Sequence, residues 1–124
     1  MLNTVRKPSS RRIAPTNFYA LFSPDVTPER QRRMADLHYF NPEEFYGEWM
    51  LPSIARNDPA YPEQNYWRGR VWAPLNFLVY LALARTELQD VRRDLAQNTC
   101  AFVGGIISAN SELTMLSGFA SQNA

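Results

Sequence analysis

Cysteine and histidine, two residue types that carry much enzyme chemistry, are almost missing from this chain. Each occurs once, as Cys100 and His38. One cysteine excludes an intramolecular disulfide and a cysteine-based metal site. One histidine leaves zinc sites and a Ser-His-Asp triad without support, and nothing in the sequence orients His38 toward Cys100. Cys100 falls in an apolar run, where a buried, inert thiol is expected. Neither metal nor cofactor is implied. Apolar stretches of membrane length are missing as well. Residues 71–84 are apolar apart from Asn76 but number only 14, against roughly 20 needed to cross a bilayer. No membrane partner is expected.

Strong net charge is also absent, at +1, although the charge is unevenly spread. Residues 1–33 hold seven Arg/Lys against two acids, and residues 34–124 hold six against ten. The basic head (Arg6, Lys7, Arg11, Arg12) shares its composition with mitochondrial addresses and nucleic-acid arms. A solvated loop is the plainer reading. A nucleic-acid module needs a basic stripe with stacking aromatics on one face, and none recurs, so nucleic acid is not an expected partner. Polar residues, instead of an apolar core, follow the basic head. With the unpaired Cys100, that points to the cytoplasm.

What the chain does have is aromatic side chains and proline. Aromatics make up 13% of it, with nine Pro. At 124 residues it can bury one modest core. Residues 1–17 form a loop rich in Pro, Ser and Arg, and residues 17–22 are a helical turn or an extended piece. Thr27-Pro28-Glu29 is a helix start: Thr as N-cap, Pro at the first helical position, Glu in the first turn. That helix is expected to reach about His38, with Met34 and Leu37 inward. Asn41-Pro42-Glu43-Glu44 repeats the signal for one turn ending near Gly47. Residues 49–66 are loop, broken by Pro52, Pro59 and Pro62, and a loop this long in a compact protein is commonly functional.

Two helices of different kind follow. The first, about 72–85, carries Pro74 in its first turn and is apolar nearly all round, so enclosure on most sides is expected. The second, about 87–103, places Leu88, Val91, Leu95 and Phe102 on one stripe. Asp90, Arg92, Arg93 and Asp94 lie mostly away from it. Gly104-Gly105 is expected to end this helix. An inner helix paired with an outer one suits a double-layered α-toroid.

The junction of loop and inner helix is the richest segment: Asn65-Tyr66-Trp67-Arg68-Gly69-Arg70-Val71-Trp72, leading to Asn76. Flat aromatic faces cover the C–H faces of sugar rings, and Arg and Asn offer fixed donors to hydroxyls. Carbohydrate is therefore the expected partner, with Tyr66, Trp67, Arg68, Gly69, Trp72 and Asn76 as candidate binding residues. The competing structural reading puts Trp67 and Trp72 in a core and ties Arg68 to Asp58 by an ion pair.

Several blocks together carry a family resemblance over residues 9–97. They are Asn17-Phe18-Tyr19, Asn41-Pro42-Glu43-Glu44-Phe45, Leu51-Pro52-Ser53-Ile54-Ala55-Arg56-Asn57-Asp58-Pro59-Ala60-Tyr61 and Tyr66-Trp67-Arg68-Gly69-Arg70-Val71-Trp72. They resemble a C-terminal portion of glycoside hydrolase family 63-like enzymes, which include processing α-glucosidases and mannosylglycerate hydrolases. The resemblance implies a mainly α fold: a fragment of an (α/α)6 toroid of helical hairpins with long irregular loops. It implies inverting hydrolysis of an α-glycosidic bond, one carboxyl protonating the leaving oxygen and another activating water about 6.5–9.5 Å away. By the same resemblance, Tyr66-Trp67-Arg68-Gly69 lines the subsite of the cleaved sugar.

Departures from that pattern shape the rest of the expectation. The general acid of the family lies in an upstream hairpin that has no counterpart here. The general base lies in a downstream His-Glu-Asn-Tyr-like run, replaced here by a Gly/Ser/Ala-rich tail whose one acid is Glu112. No catalytic residue is assigned, and Glu112 is not given the role of base. The expected organisation is 1–16, a basic loop or truncated start; 17–103, a partial toroid segment; and 104–124, a divergent tail that a shifted reading frame would explain. An enzyme fragment, inactive alone and prone to self-association, is the first reading. A non-catalytic carbohydrate-binding or interaction module is the second.

Overall fold

The computed structural model describes residues 11–122, the side chains of 107 and 109–122 excepted. Most of the expected basic head, residues 1–10, and residues 123–124 lie outside it, as does the Glu112 side chain. A 3₁₀ helix, Pro15–Phe22, comes first. Asn17 sets its start by exchanging bonds with Ala14: its Oδ1 accepts from Ala14 N–H at 2.8 Å and its N–H donates to Ala14 O at 2.9 Å. With three residues per turn, Pro15, Phe18 and Leu21 fall on one face, and all three are buried. This settles residues 17–22 as helical.

Helix α1, Pro28–Met34, begins as the capping chemistry dictates, the Thr27 hydroxyl accepting from Arg30 N–H. It then widens into a π-helical turn, Ala35–Tyr39. The wider turn rotates the inward face onto Ala35 and Tyr39, both buried, and leaves Leu37 50% exposed. The expectation of an inward Leu37, drawn from 3.6-residue spacing, is thereby corrected, whereas Met34 does pack against the core. Tyr39 meets Phe18 edge-on and donates its hydroxyl to Asp94 Oδ2 at 2.8 Å. Burial, then the Asp94 carboxylate, pushes the Tyr39 phenol pKa well up and keeps it a donor. Asn41 closes the next single turn, its carbonyl accepting from Glu44, Phe45 and Tyr46.

Helix α2, Ala73–Leu83, and helix α3, Gln89–Gln122, complete the core. α2 buries Asn76, Val79, Ala82 and Leu83, and packs chiefly on the 3₁₀ helix. Its other face is bare: Phe77 is 60% exposed, and Leu78 and Leu81 are exposed too. Enclosure on most sides does not hold within this chain, because the described elements cover one side of α2 only. α3 seats Val91 and Leu95 in the core, and Leu88, just ahead of its first residue, joins them there as the periodicity predicts; Phe102 packs edge-on against Trp49 at 5.7 Å. Arg32 forks onto Asp90 with bonds of 2.8 and 2.9 Å, linking α1 to α3. That guanidinium holds the Asp90 carboxyl below its usual range. The tie is thus present above the ordinary carboxylate pKa and is lost as pH falls through the lowered one.

α3 does not stop at Gly104-Gly105. It runs on to Gln122, which corrects the expected end at residue 103. A glycine pair costs helix stability without forbidding helix, since no proline follows and the intrahelical bonds can continue. Cys100 is exposed instead of buried, because it lines an open cleft with Ala73, Asn76 and Phe77 of α2 that no other described element fills. A Cβ at either glycine would meet nothing within 4 Å. Gly104→Ala with Gly105→Ala is therefore expected to raise helicity and stabilise the helix by about 0.5–1 kcal/mol per site. Circular dichroism through a urea titration checks this, and unchanged helix content would mean the helix ends before Gly104. Among the described residues no helix is long and apolar enough to cross a membrane.

Candidate carbohydrate site

The candidate loop is built on a short 3₁₀ turn, Tyr61–Glu63. Asp58 starts that turn, its carboxylate accepting from Ala60 N–H at 2.8 Å and its carbonyl from Tyr61 N–H at 2.9 Å. The chain then doubles back tightly, with Arg68 N–H donating to Asn65 O at 2.7 Å across Tyr66 and Trp67. Reversal this tight forces left-handed backbone on side chains that disfavour it. Gln64 has φ +47° and Tyr66 φ +43°. Each such residue costs on the order of 1–3 kcal/mol, held by its surroundings.

Three anchors hold that strain. Gly69 takes φ +108° and is buried, and its N–H donates to Ser53 Oγ at 3.0 Å. Ser53 N–H in turn donates to Arg70 O at 2.9 Å, beside the isolated bridge between Pro52 and Val71. Arg70 Nε and Trp72 Nε1 reach back to Gln64 O and Tyr66 O, both at 2.8 Å. The two strained residues are thus the two whose carbonyls are gripped by side chains across the turn.

The product is an exposed aromatic platform. Trp67 and Trp72 stack with centroids 5.1 Å apart and planes 26° from parallel. Tyr66 stands edge-on to both, at 5.4 and 5.3 Å. Tyr66 is 60% exposed and Trp67 46% exposed. Trp72 is half-buried beneath them, so the competing structural reading fails for Trp67 as a core residue and holds in part for Trp72. Arg68 sits at the edge and donates to Glu63 Oε2 at 2.6 Å. Asp58, its partner in the competing structural reading, pairs with Arg12 at 3.6 Å, so the tie exists with a different acid. Such a surface offers apolar ring faces beside fixed N–H donors, the combination a sugar ring fits.

Asn76 stands apart from the platform. Its Oδ1 accepts from Leu51 N–H at 2.8 Å, while Nδ2 donates to Leu51 O and Trp72 O, both at 3.0 Å. The amide acts as a clamp between Leu51, in the 50–53 loop segment, and the first turn of α2. Asn76 therefore meets the site through the backbone of Trp72. Sequence reasoning missed Ser53, Glu63, Gln64 and Arg70. Glu63 and Arg68, opposite charges flanking a turn, were the one signal open to it.

No catalytic carboxylate pair is found among the residues of this loop, where Glu63 is occupied by Arg68. His38 binds Glu44 at 2.6 Å instead of facing Cys100. Among the described residues no cluster of His, Cys, Asp and Glu could hold a metal. A family model described as the mannosylglycerate hydrolase MGH1-like glycoside hydrolase domain matches residues 4–110. The match runs beyond residue 97, where the resemblance read from the sequence stops, and includes Gly104-Gly105. No curated protein and no solved structure matches the chain.

Proposed function

The chain belongs to the MGH1-like glycoside hydrolase family, and from that premise we propose that residues 61–72 form its sugar-binding platform. The observation that carries the reading is exposed Trp67 stacked on half-buried Trp72, held on a turn with two strained residues. A loop needed only to connect elements gains nothing from displaying Tyr66 and Trp67 to water. Trp67 and Tyr66 cover an apolar sugar face, Trp72 backs Trp67, and Arg68 donates to hydroxyls from its Glu63-fixed position. Gly69 lets the backbone pass beneath.

In the parent architecture this platform serves inverting hydrolysis of an α-glycosidic bond, with α2 and α3 as an inner and outer pair of an (α/α)6 toroid. Residues 17–103 are the toroid segment in this reading. The second reading, a non-catalytic binding module, draws on the occupied state of Glu63. Both predict binding without turnover by the isolated chain. Trp67→Ala is expected to weaken binding of mannosylglycerate or methyl α-glucoside roughly tenfold, about 1.4 kcal/mol, by calorimetric titration. Equal affinity of the variant and the parent chain removes Trp67 from the site.

Exposed Phe77, Leu78, Leu81, Val103 and Ile106 make an apolar surface that a solitary monomer rarely displays. We expect concentration-dependent self-association in sedimentation velocity. A monodisperse monomer at every concentration would contradict it.

A further inference from the structure

The two arginines of the loop differ in one respect that the sugar platform does not use. Arg68 faces a carboxylate, Glu63, at 2.6 Å. Arg70 is exposed and spends only Nε, on the neutral carbonyl of Gln64 at 2.8 Å. Among the described residues no acid pairs with it. That single bond fixes the guanidinium plane while leaving both terminal nitrogens for another group. Arg70 and Trp72 flank Val71, whose backbone is extended in the bridge to Pro52, so their side chains leave on one side. Both reach the same short segment, at Gln64 and Tyr66. The unspent edge of the Arg70 fork therefore lies beside the aromatic platform.

We propose that Arg70 is a specificity-determining residue that reads a carboxylate on the bound glycoside. This rests on the reading of the loop as a sugar platform. A planar, permanently charged fork held by its Nε suits the two oxygens of a carboxylate better than it suits scattered hydroxyls. Glu63 cancels the charge of Arg68 and leaves that of Arg70 for the ligand. The acid can sit on the aglycone, as in a glycerate, or on the sugar ring, as in a uronate; the fork recognises the same group in either.

The test is calorimetric titration of the full chain with three probes: neutral methyl α-mannoside, mannosylglycerate and methyl α-glucuronide. At least one acid is expected to bind about tenfold more tightly than the neutral sugar, with the preference shrinking as salt is added. Which acid wins identifies where the carboxylate sits. Arg70→Gln is expected to bring the acid-to-neutral ratio near one, and Arg70→Lys to keep part of it. A purely structural Arg70 would weaken all three probes together and leave the ratio intact, which overturns the proposal. A preference for acid that survives in Arg70→Gln overturns it as well. If the neutral sugar binds and neither acid binds better, the platform stands and the Arg70 assignment falls. Failure of all three probes to bind removes both.

Discussion

Replacing Asn76 with alanine is expected to remove about 3–5 kcal/mol of stability, the largest loss at any candidate site residue. Leu51 is buried, and both its N–H and its carbonyl find their partners on the Asn76 amide. Truncation strands the two groups together, each costing about 1–3 kcal/mol when buried and unsatisfied. A chain of this size holds on the order of 6–19 kcal/mol in total by the per-residue scale. The variant should therefore unfold at a much lower urea concentration. Asn76→Asp retains the acceptor for Leu51 N–H but sets a buried carboxylate oxygen against the carbonyls of Leu51 and Trp72, so at neutral pH a loss at least as large as that of alanine is expected. A loss under about 1 kcal/mol in Asn76→Ala would show that water or a shifted backbone replaces the clamp.

Gly69→Ala should damage the loop and spare the helices. An L side chain at φ +108° is strained whatever space it has, and here there is little. A Cβ would collide with Gln64 Nε2 and lie 2.7 Å from the carbonyl oxygen of Tyr61. The glutamine end can move; the carbonyl belongs to the 3₁₀ turn and cannot move alone. Strain of roughly 1–3 kcal/mol, with the clash added, exceeds what the Gly69–Ser53 bond returns. The expected result is more than tenfold loss of sugar affinity with nearly unchanged far-ultraviolet dichroism. Normal affinity in the variant would mean that the platform does not depend on this turn.

The helical frame was largely legible because its signals are local. Thr27-Pro28-Glu29 needs nothing beyond the first turn to start α1, and Leu88, Val91 and Leu95 announce their shared face by spacing. Leu37 misled because a π-helical turn changes that spacing, and no residue type marks such a turn. Gly104-Gly105 misled because helix propensity is a preference of under a few kcal/mol that neighbouring turns override. Cys100 misled because an apolar run does not reveal whether anything covers the α2–α3 cleft that this residue lines.

The site was legible as a cluster and illegible as a geometry. Residues 66–72 stand out by composition, whereas their strain does not: Gln64 and Tyr66 carry positive φ without being glycine or asparagine. The competing structural reading ties Arg68 to Asp58, whereas Arg68 pairs with Glu63, since sequence distance cannot rank two acids on one loop. Asn76 looked like a ligand donor because an amide in an apolar helix lacks a partner on paper. Its partner is a main-chain segment 25 residues away in sequence.

The central claim, a sugar platform on residues 61–72, is tested most directly by the three tryptophan indole N–H signals in nitrogen-resolved NMR. Trp67 and Trp72 form the platform, and Trp49, packed on Phe102, is an internal control. Titration with mannosylglycerate and methyl α-glucoside is predicted to shift the Trp67 and Trp72 signals saturably while Trp49 stays in place. Three unmoved signals, or all three drifting together without saturation, would contradict the account.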